Sequence, residues 1–132
     1  MFGGLFGAKR PISEASQVCM DFFNRTRLDA GDNPRKPLAL VYATNWEFIG
    51  CMLGVVDFIG SQYRTRPNEI LLEIVPALFG PNAKTAFSTI QVGGANDELV
   101  RALEKTEEHF RRIGSLPREQ RNEQMRFMQR FF

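Results

Sequence analysis

The segment from Asn45 to Tyr63 is apolar around most of its circumference when it is drawn as a helix. A helix of this kind is stable in water only where other elements cover it. We therefore expect a buried central helix at about residues 45–63, with the rest of the chain packed around it. Its apolar positions are Trp46, Phe48, Ile49, Met52, Leu53, Val55, Val56, Ile59 and Tyr63.

Local signals inside and before this segment refine the prediction. Gly50, Gly54 and Gly60 each weaken a helix by about 1 kcal/mol relative to alanine, so we expect them to allow close approach by a neighbouring helix. Thr44 and Glu47 fit a capping box, in which the threonine hydroxyl accepts a hydrogen bond from an amide three residues on and the glutamate reaches back. The capping box predicts where the central helix begins.

Helical spacing of apolar residues recurs along the rest of the chain. The predicted class is all-α, a single domain over residues 1–132 built as a bundle of five or six helices, with residues 1–10 as a flexible N-terminal segment. Pro76 is expected to kink or split its helix. Leu38 to Ala43 fits a helix start or a short strand equally well. The other helices are predicted at about residues 12–28, 67–79, 82–92, 96–113 and from Ser115 to the C-terminus.

Composition limits the class of protein. At 132 residues the chain fits one domain, and 43% hydrophobic residues with a net charge of +2 argue against disorder. Glu47 and Asp57 interrupt the apolar region, so no uncharged run approaches the ~18 residues of a membrane span. Cys19 and Cys51 follow no secretory signal, which predicts reduced thiols in a cytoplasmic protein.

A catalytic or metal site is not indicated by any residue pattern. His109 is the one histidine, and its charged neighbours predict an exposed position on a helix. Glu47 and Asp57 would lie roughly 80° and 15 Å apart on the central helix, too far to act as one pair. A salt bridge to an arginine is the favoured interpretation of Asp57 over a functional carboxylate. We expect no enzyme activity, no cofactor and no metal.

The C-terminal residues form an aromatic and basic amphipathic helix. Met125, Met128 and Phe132 fall near one line on that helix, whereas Arg126 and Arg130 fall on the other side. Packing on the domain's own core is the favoured single interpretation, followed by binding to a second copy or a protein partner, and last by binding to a membrane surface. The residues predicted to bind a partner are Met125, Arg126, Phe127, Met128, Arg130, Phe131 and Phe132, together with Phe2 and Phe6.

Three functions remain open from the sequence. The favoured one is a small non-enzymatic interaction protein, of adaptor, immunity, antitoxin or chaperone type, that acts through these apolar and aromatic surfaces. The second is a helical bundle with a pocket for a small apolar ligand, lined by Trp46, Phe48, Met52 and Phe79. The third and least favoured is nucleic-acid binding by the arginine-rich C-terminal region, since the net charge is small for a nucleic-acid binder.

Overall fold

The computed structural model describes residues 13–114 and 123–132, and for residues 123–125 the backbone alone. These residues form helices and turns with no strand among them, which confirms the all-α prediction. The predicted N-terminal segment 1–10 lies outside the described residues. The helices are α1 (Glu14–Asp29), α2 (Leu40–Ala43), α3 (Trp46–Tyr63), α4 (Pro67–Phe79), α5 (Ala83–Val92), α6 (Asp97–Gly114) and α7 (Glu123–Gln129).

The central helix α3 is buried, as predicted. Phe48, Ile49, Met52, Val55 and Val56 have no accessible surface, because helices α1, α2, α4, α5 and α6 all contact α3. Burying one such side chain stabilises the fold by about 1.5 to 3 kcal/mol. The apolar side chains around this helix are therefore the main contributors to the core.

The capping box was placed one residue too early. The side chain of Asn45 caps α3, since its Oδ1 accepts a hydrogen bond from the backbone N–H of Phe48 over 2.9 Å. The Thr44 hydroxyl instead donates to the carbonyl of Leu40 in the preceding short helix over 3.3 Å. Thr44 belongs to the end of α2, which leaves Asn45 as the first residue free to take the extended backbone of an N-cap. Of the segment 38–43, which fitted a helix start or a short strand, Leu40–Ala43 form the short helix α2 and Ala39 before it is extended.

Two of the three glycines allow helix α6 to approach α3. A Cβ atom at Gly50 would lie 2.8 Å from the Cβ of Ala102, and one at Gly54 would lie 2.7 Å from the Cβ of Thr106. The contact between α3 and α6 is the most extensive one between two helices of the described residues. At Gly60 a Cβ atom would first meet the carbonyl oxygen of Thr65 in the turn after α3, at 2.7 Å, and then the Ile70 side chain of α4, at 3.3 Å.

The remaining elements complete the covering of α3. Ser13 caps α1 by accepting from the N–H of Ser16 over 3.2 Å. Helix α4 continues through Pro76, so the predicted split is absent there. It ends at Phe79, before Gly80. The φ of Gly80 is 52°, a backbone conformation that favours glycine. In residues 13–114 and 123–132, no helix combines the length and apolar content that crossing a bilayer requires.

Candidate interaction surface

The C-terminal residues 123–132, here called the tail, pack on the body of the protein. The side chain of Met128 is completely buried and joins the same core as α3. Helix α7 contacts α1 and α6. This arrangement agrees with the favoured interpretation from the sequence, in which the apolar face of the tail covers the domain's own core.

Aromatic rings fix the end of the tail on α2 and α3. The rings of Phe131 and Phe132 meet the Phe48 ring edge to face, with centroid distances of 5.3 and 5.8 Å. The Tyr42 ring lies 5.2 Å from the Phe48 ring and 5.6 Å from the Phe132 ring. The Tyr42 hydroxyl donates to the carbonyl of Phe131 over 2.9 Å. Ring pairs of this geometry stabilise beyond their buried area, so the last two residues are held in place.

Arg130 is the polar anchor of the tail. Its guanidinium carbon lies 4.8 Å from the ring centroid of Phe127 and 4.5 Å from that of Phe131. Its Nη1 donates to Oε2 of Glu47 over 3.1 Å, and its Nη2 donates to Sγ of Cys51 over 3.5 Å. The sequence had placed Arg130 on a polar face away from the rings. The long side chain folds back over two rings instead, because the delocalised guanidinium is weakly hydrated and stacks well on aromatic faces.

The histidine has a different environment from the predicted one. His109 is half-buried, and its ring stacks on the Phe127 ring with centroids 4.4 Å apart and an angle of 23° between the planes. Its Nδ1 lies 3.3 Å from Nη2 of Arg112. The prediction of an exposed surface histidine is therefore wrong, because Phe127 of the tail covers the ring.

Part of the region around the tail remains accessible. Leu40 and Val41, which precede Tyr42 in the chain, are 54% and 65% exposed. Phe131 and Phe132, which contact Tyr42, are only half-buried. We call these five residues the tail surface: Leu40, Val41, Tyr42, Phe131 and Phe132. It is an apolar surface with aromatic edges and a tyrosine, and Arg130 lies at its margin.

Five of the predicted partner-binding residues lie in the docked tail with their side chains described. They are Phe127, Met128, Arg130, Phe131 and Phe132. Arg126 is exposed on α7, the side chain of Met125 is not among those described, and Phe2 and Phe6 lie outside the described residues. Sequence reasoning missed Tyr42, Glu47 and Cys51 as tail contacts. One signal was present, since Glu47 is an acidic residue in an apolar helix and the tail is rich in arginine.

The residues of the predicted ligand pocket lie in the packed core. Phe48, Met52 and Phe79 are fully buried, and Trp46 packs against them from the edge. The Phe48 and Phe79 rings meet edge to face at 6.4 Å. An open apolar groove of about 340 Å³ lies elsewhere, between α4 and α5. It is lined by Asn68, Leu71, Leu72, Phe87, Ile90 and Gln91.

Asp57 faces another carboxylate rather than an arginine. It is half-buried on α3 and forms a hydrogen bond with Glu107 of α6. Burial raises the pKa of Asp57, and the negative charge of Glu107 and their hydrogen bond raise it further. Arg111 donates to Oε2 of Glu107 over 3.4 Å, so the arginine reaches the second carboxylate of the pair. The predicted salt bridge from Asp57 to an arginine is not found among the described residues.

The two cysteines are free and buried. Burial raises the pKa of the Cys19 thiol to about 12. Burial also raises the pKa of Cys51, although hydrogen bonds with Thr106 and Arg130 act in the opposite direction. Thiolate is the nucleophilic form, so neither cysteine has the environment of a reactive nucleophile. In the described ranges, no three His, Cys, Asp or Glu side chains lie together as metal ligands would.

No family model, curated protein or solved structure matches this chain. Inferences about its function therefore depend on the contacts described above.

Proposed function

We propose that this protein is a small non-enzymatic interaction protein that binds another protein chain through the tail surface. The observation that carries this proposal is that Leu40 and Val41 are more than half exposed and directly precede Tyr42, which contacts the half-buried Phe131 and Phe132. Exposed apolar patches mark interaction sites on soluble proteins. The surface includes two of the seven partner-binding residues expected at the C-terminus, Phe131 and Phe132.

The chemistry of the tail surface suits protein binding. Tyrosine, phenylalanine and arginine are enriched in the energetically important parts of interfaces. The Tyr42 ring is already held by Phe48 and by the carbonyl of Phe131. Arg130 is likewise held between two rings. Binding would immobilise few new side chains, which lowers the entropy cost of association.

The partner that we propose is a second copy of this chain. In a two-fold symmetric dimer the same surface meets itself, so the surface must be complementary to itself. Aliphatic side chains and ring edges meet that requirement, since they carry no charge. The nearest described charge on the tail, that of Arg130, is compensated by Glu47. Two copies can therefore approach without bringing uncompensated arginines together at this position.

The test is sedimentation velocity over roughly 1 µM to 1 mM, the range in which modest interfaces dissociate. We expect a reversible dimer for the natural sequence. Val41→Glu should weaken the dimer at least about tenfold, because a carboxylate would be buried without a partner. The matched control is Leu72→Glu, since Leu72 is 67% exposed on α4 and Val41 is 65% exposed. A natural chain that stays monomeric throughout, or equal effects of the two substitutions, would contradict the proposal.

The α4–α5 groove supports a second candidate, the binding of a small apolar ligand. Leu71, Leu72, Phe87 and Ile90 make its walls apolar, whereas Asn68 and Gln91 offer polar groups at the sides. Pockets for small molecules combine these two kinds of group. Native mass spectrometry of freshly purified protein tests this candidate. A bound mass that is lost in Ile90→Gln would support it, and the mass of the bare chain in repeated preparations would count against it.

A further inference from the structure

One face of α4 and one face of α5 form the walls of the α4–α5 groove. Each wall contributes two apolar side chains and one amide: Leu71, Leu72 and Asn68 from α4, and Phe87, Ile90 and Gln91 from α5. On each helix these residues are three and four positions apart, which places them side by side on the helix surface. The groove is therefore built on two helices rather than on a loop.

The two amides lie at the same end of the groove. Helices α4 and α5 are joined by the short turn Gly80–Asn82, and helices joined in this way run in opposite directions. Asn68 lies near the start of α4 and Gln91 near the end of α5, so both are far from that turn. The apolar side chains come between the amides and the turn. The groove thus has an apolar body and one polar end.

The apolar body of the groove is incompletely covered. Leu71 is buried, but Leu72 is 67% exposed, and Phe87 and Ile90 are only half-buried. The volume of about 340 Å³ is roughly twice that of a cavity that holds one benzene molecule. A single alkyl chain fits such a space, and the burial of Leu72 beneath it would favour binding.

The polar end carries no charge among the described residues that line the groove. Neither the Asn68 nor the Gln91 side chain has a hydrogen-bond partner in the described part of the chain, so both amides are available to a ligand as donors and as acceptors. Arg66 and Glu69, on either side of Asn68 in the sequence, are exposed and opposite in charge. Their fields oppose each other and are screened by salt, so this end favours neither an anion nor a cation.

We infer that the α4–α5 groove binds a single-chain amphiphile with an uncharged head, such as an alcohol or an amide. The alkyl chain lies between the apolar walls, and the head exchanges hydrogen bonds with Asn68 and Gln91. A charged head would lose hydration at this end without gaining an opposite charge, which weakens binding. This inference rests on the second candidate function above and names its ligand class.

Titrations of the full chain with 1-octanol, octanoate and octylammonium, followed by ¹H–¹⁵N NMR, test the head group at one chain length. We expect 1-octanol to shift the amide signals of α4 and α5. It should bind at least about fivefold more tightly than either ion, since the ions alone carry a charge that must be partly desolvated.

A substitution at the polar end tests the hydrogen bonds to the head. Gln91→Leu should weaken the binding of 1-octanol by about threefold or more, because one such bond is lost. The matched control is Gln62→Leu, since Gln62 is an exposed glutamine on α3 and does not line the groove.

The outcomes separate the inference from the function on which it rests. An ion that binds as tightly as 1-octanol, or equal effects of the two substitutions, would overturn the uncharged head and leave the groove as a ligand site. If none of the three probes shifts the amide signals of α4 and α5, the inference and the second candidate function both fail.

Discussion

Arg130 donates from Nη1 to Oε2 of Glu47 over 3.1 Å, and the two residues are 83 positions apart in the chain. The same guanidinium contacts the rings of Phe127 and Phe131 and the sulfur of Cys51. One side chain thus connects the C-terminus to the central helix by an ion pair with Glu47 and a hydrogen bond to Cys51, and its two cation–π contacts hold it against the tail's own rings. The tail surface owes its shape to this connection and to the rings beneath it.

The first prediction concerns the anchor itself. Arg130→Ala should lower the free energy of unfolding by about 1 to 2 kcal/mol, since it removes two partly exposed cation–π contacts and one screened ion pair. The measurement is equilibrium unfolding in urea. Arg126→Ala is the matched control, because Arg126 is an exposed arginine on the same helix. Equal losses for the two variants would mean that Arg130 does not anchor the tail.

The second prediction concerns pH and the Asp57–Glu107 pair. The fold raises the pKa of Asp57, so the folded state holds this proton more tightly than the unfolded chain does. This stabilising contribution is fully present below the unfolded pKa and is lost as pH rises through the raised folded pKa. Above the raised pKa, the ionised Asp57 destabilises the contact between α3 and α6.

Asp57→Asn should therefore stabilise the protein at neutral pH by roughly 0.5 kcal/mol, the size of a like-charge contact on helix surfaces. The advantage should shrink as the pH falls into the acid range, where Asp57 is protonated in the natural protein. Urea unfolding at several pH values measures both effects. Glu104→Gln, at an exposed position on α6, controls for the loss of one negative charge. A gain that is the same at every pH would contradict the raised pKa of Asp57.

The third prediction concerns the close contact of α3 and α6. Gly54→Ala should destabilise the protein by about 1 to 3 kcal/mol, because its new methyl group would overlap Thr106. Gly94→Ala is the control, since a Cβ atom there has no neighbour within 4 Å and should cost little or stabilise slightly. Thermal unfolding of the two variants makes the comparison. A tolerated alanine at position 54 would contradict the described packing.

The helices were predictable because their signals are local. Apolar periodicity marked α3 and α6, and proline and glycine marked the ends of α4. The burial of α3 followed from its apolar circumference. The capping error of one residue arose because Thr44 and Asn45 are both good N-caps, and the choice between them depends on where the preceding helix ends.

The tail contacts were not predictable in the same way. Apolar spacing indicates which face of α7 is buried, but not that Tyr42 and Phe48 receive it. His109 has charged neighbours in sequence, whereas its ring is covered by Phe127 from another helix. Asp57 meets Glu107 because α3 and α6 pack closely together. Each of these contacts depends on how two helices that are distant in the sequence are placed relative to each other. Periodicity along one helix carries no information on that placement.

The most direct test of the tail surface as a site of self-association is isotope-filtered NMR on a mixture of ¹³C-labelled and unlabelled protein. Such spectra detect contacts between different copies alone. We predict cross-peaks from the methyl groups of Val41 to the aromatic rings of a second copy, with Tyr42 and Phe132 as the expected contacts. These cross-peaks should remain in Leu72→Glu. If a concentrated sample of the natural chain shows no cross-peaks between copies at these residues, the tail surface is not where this protein associates with itself.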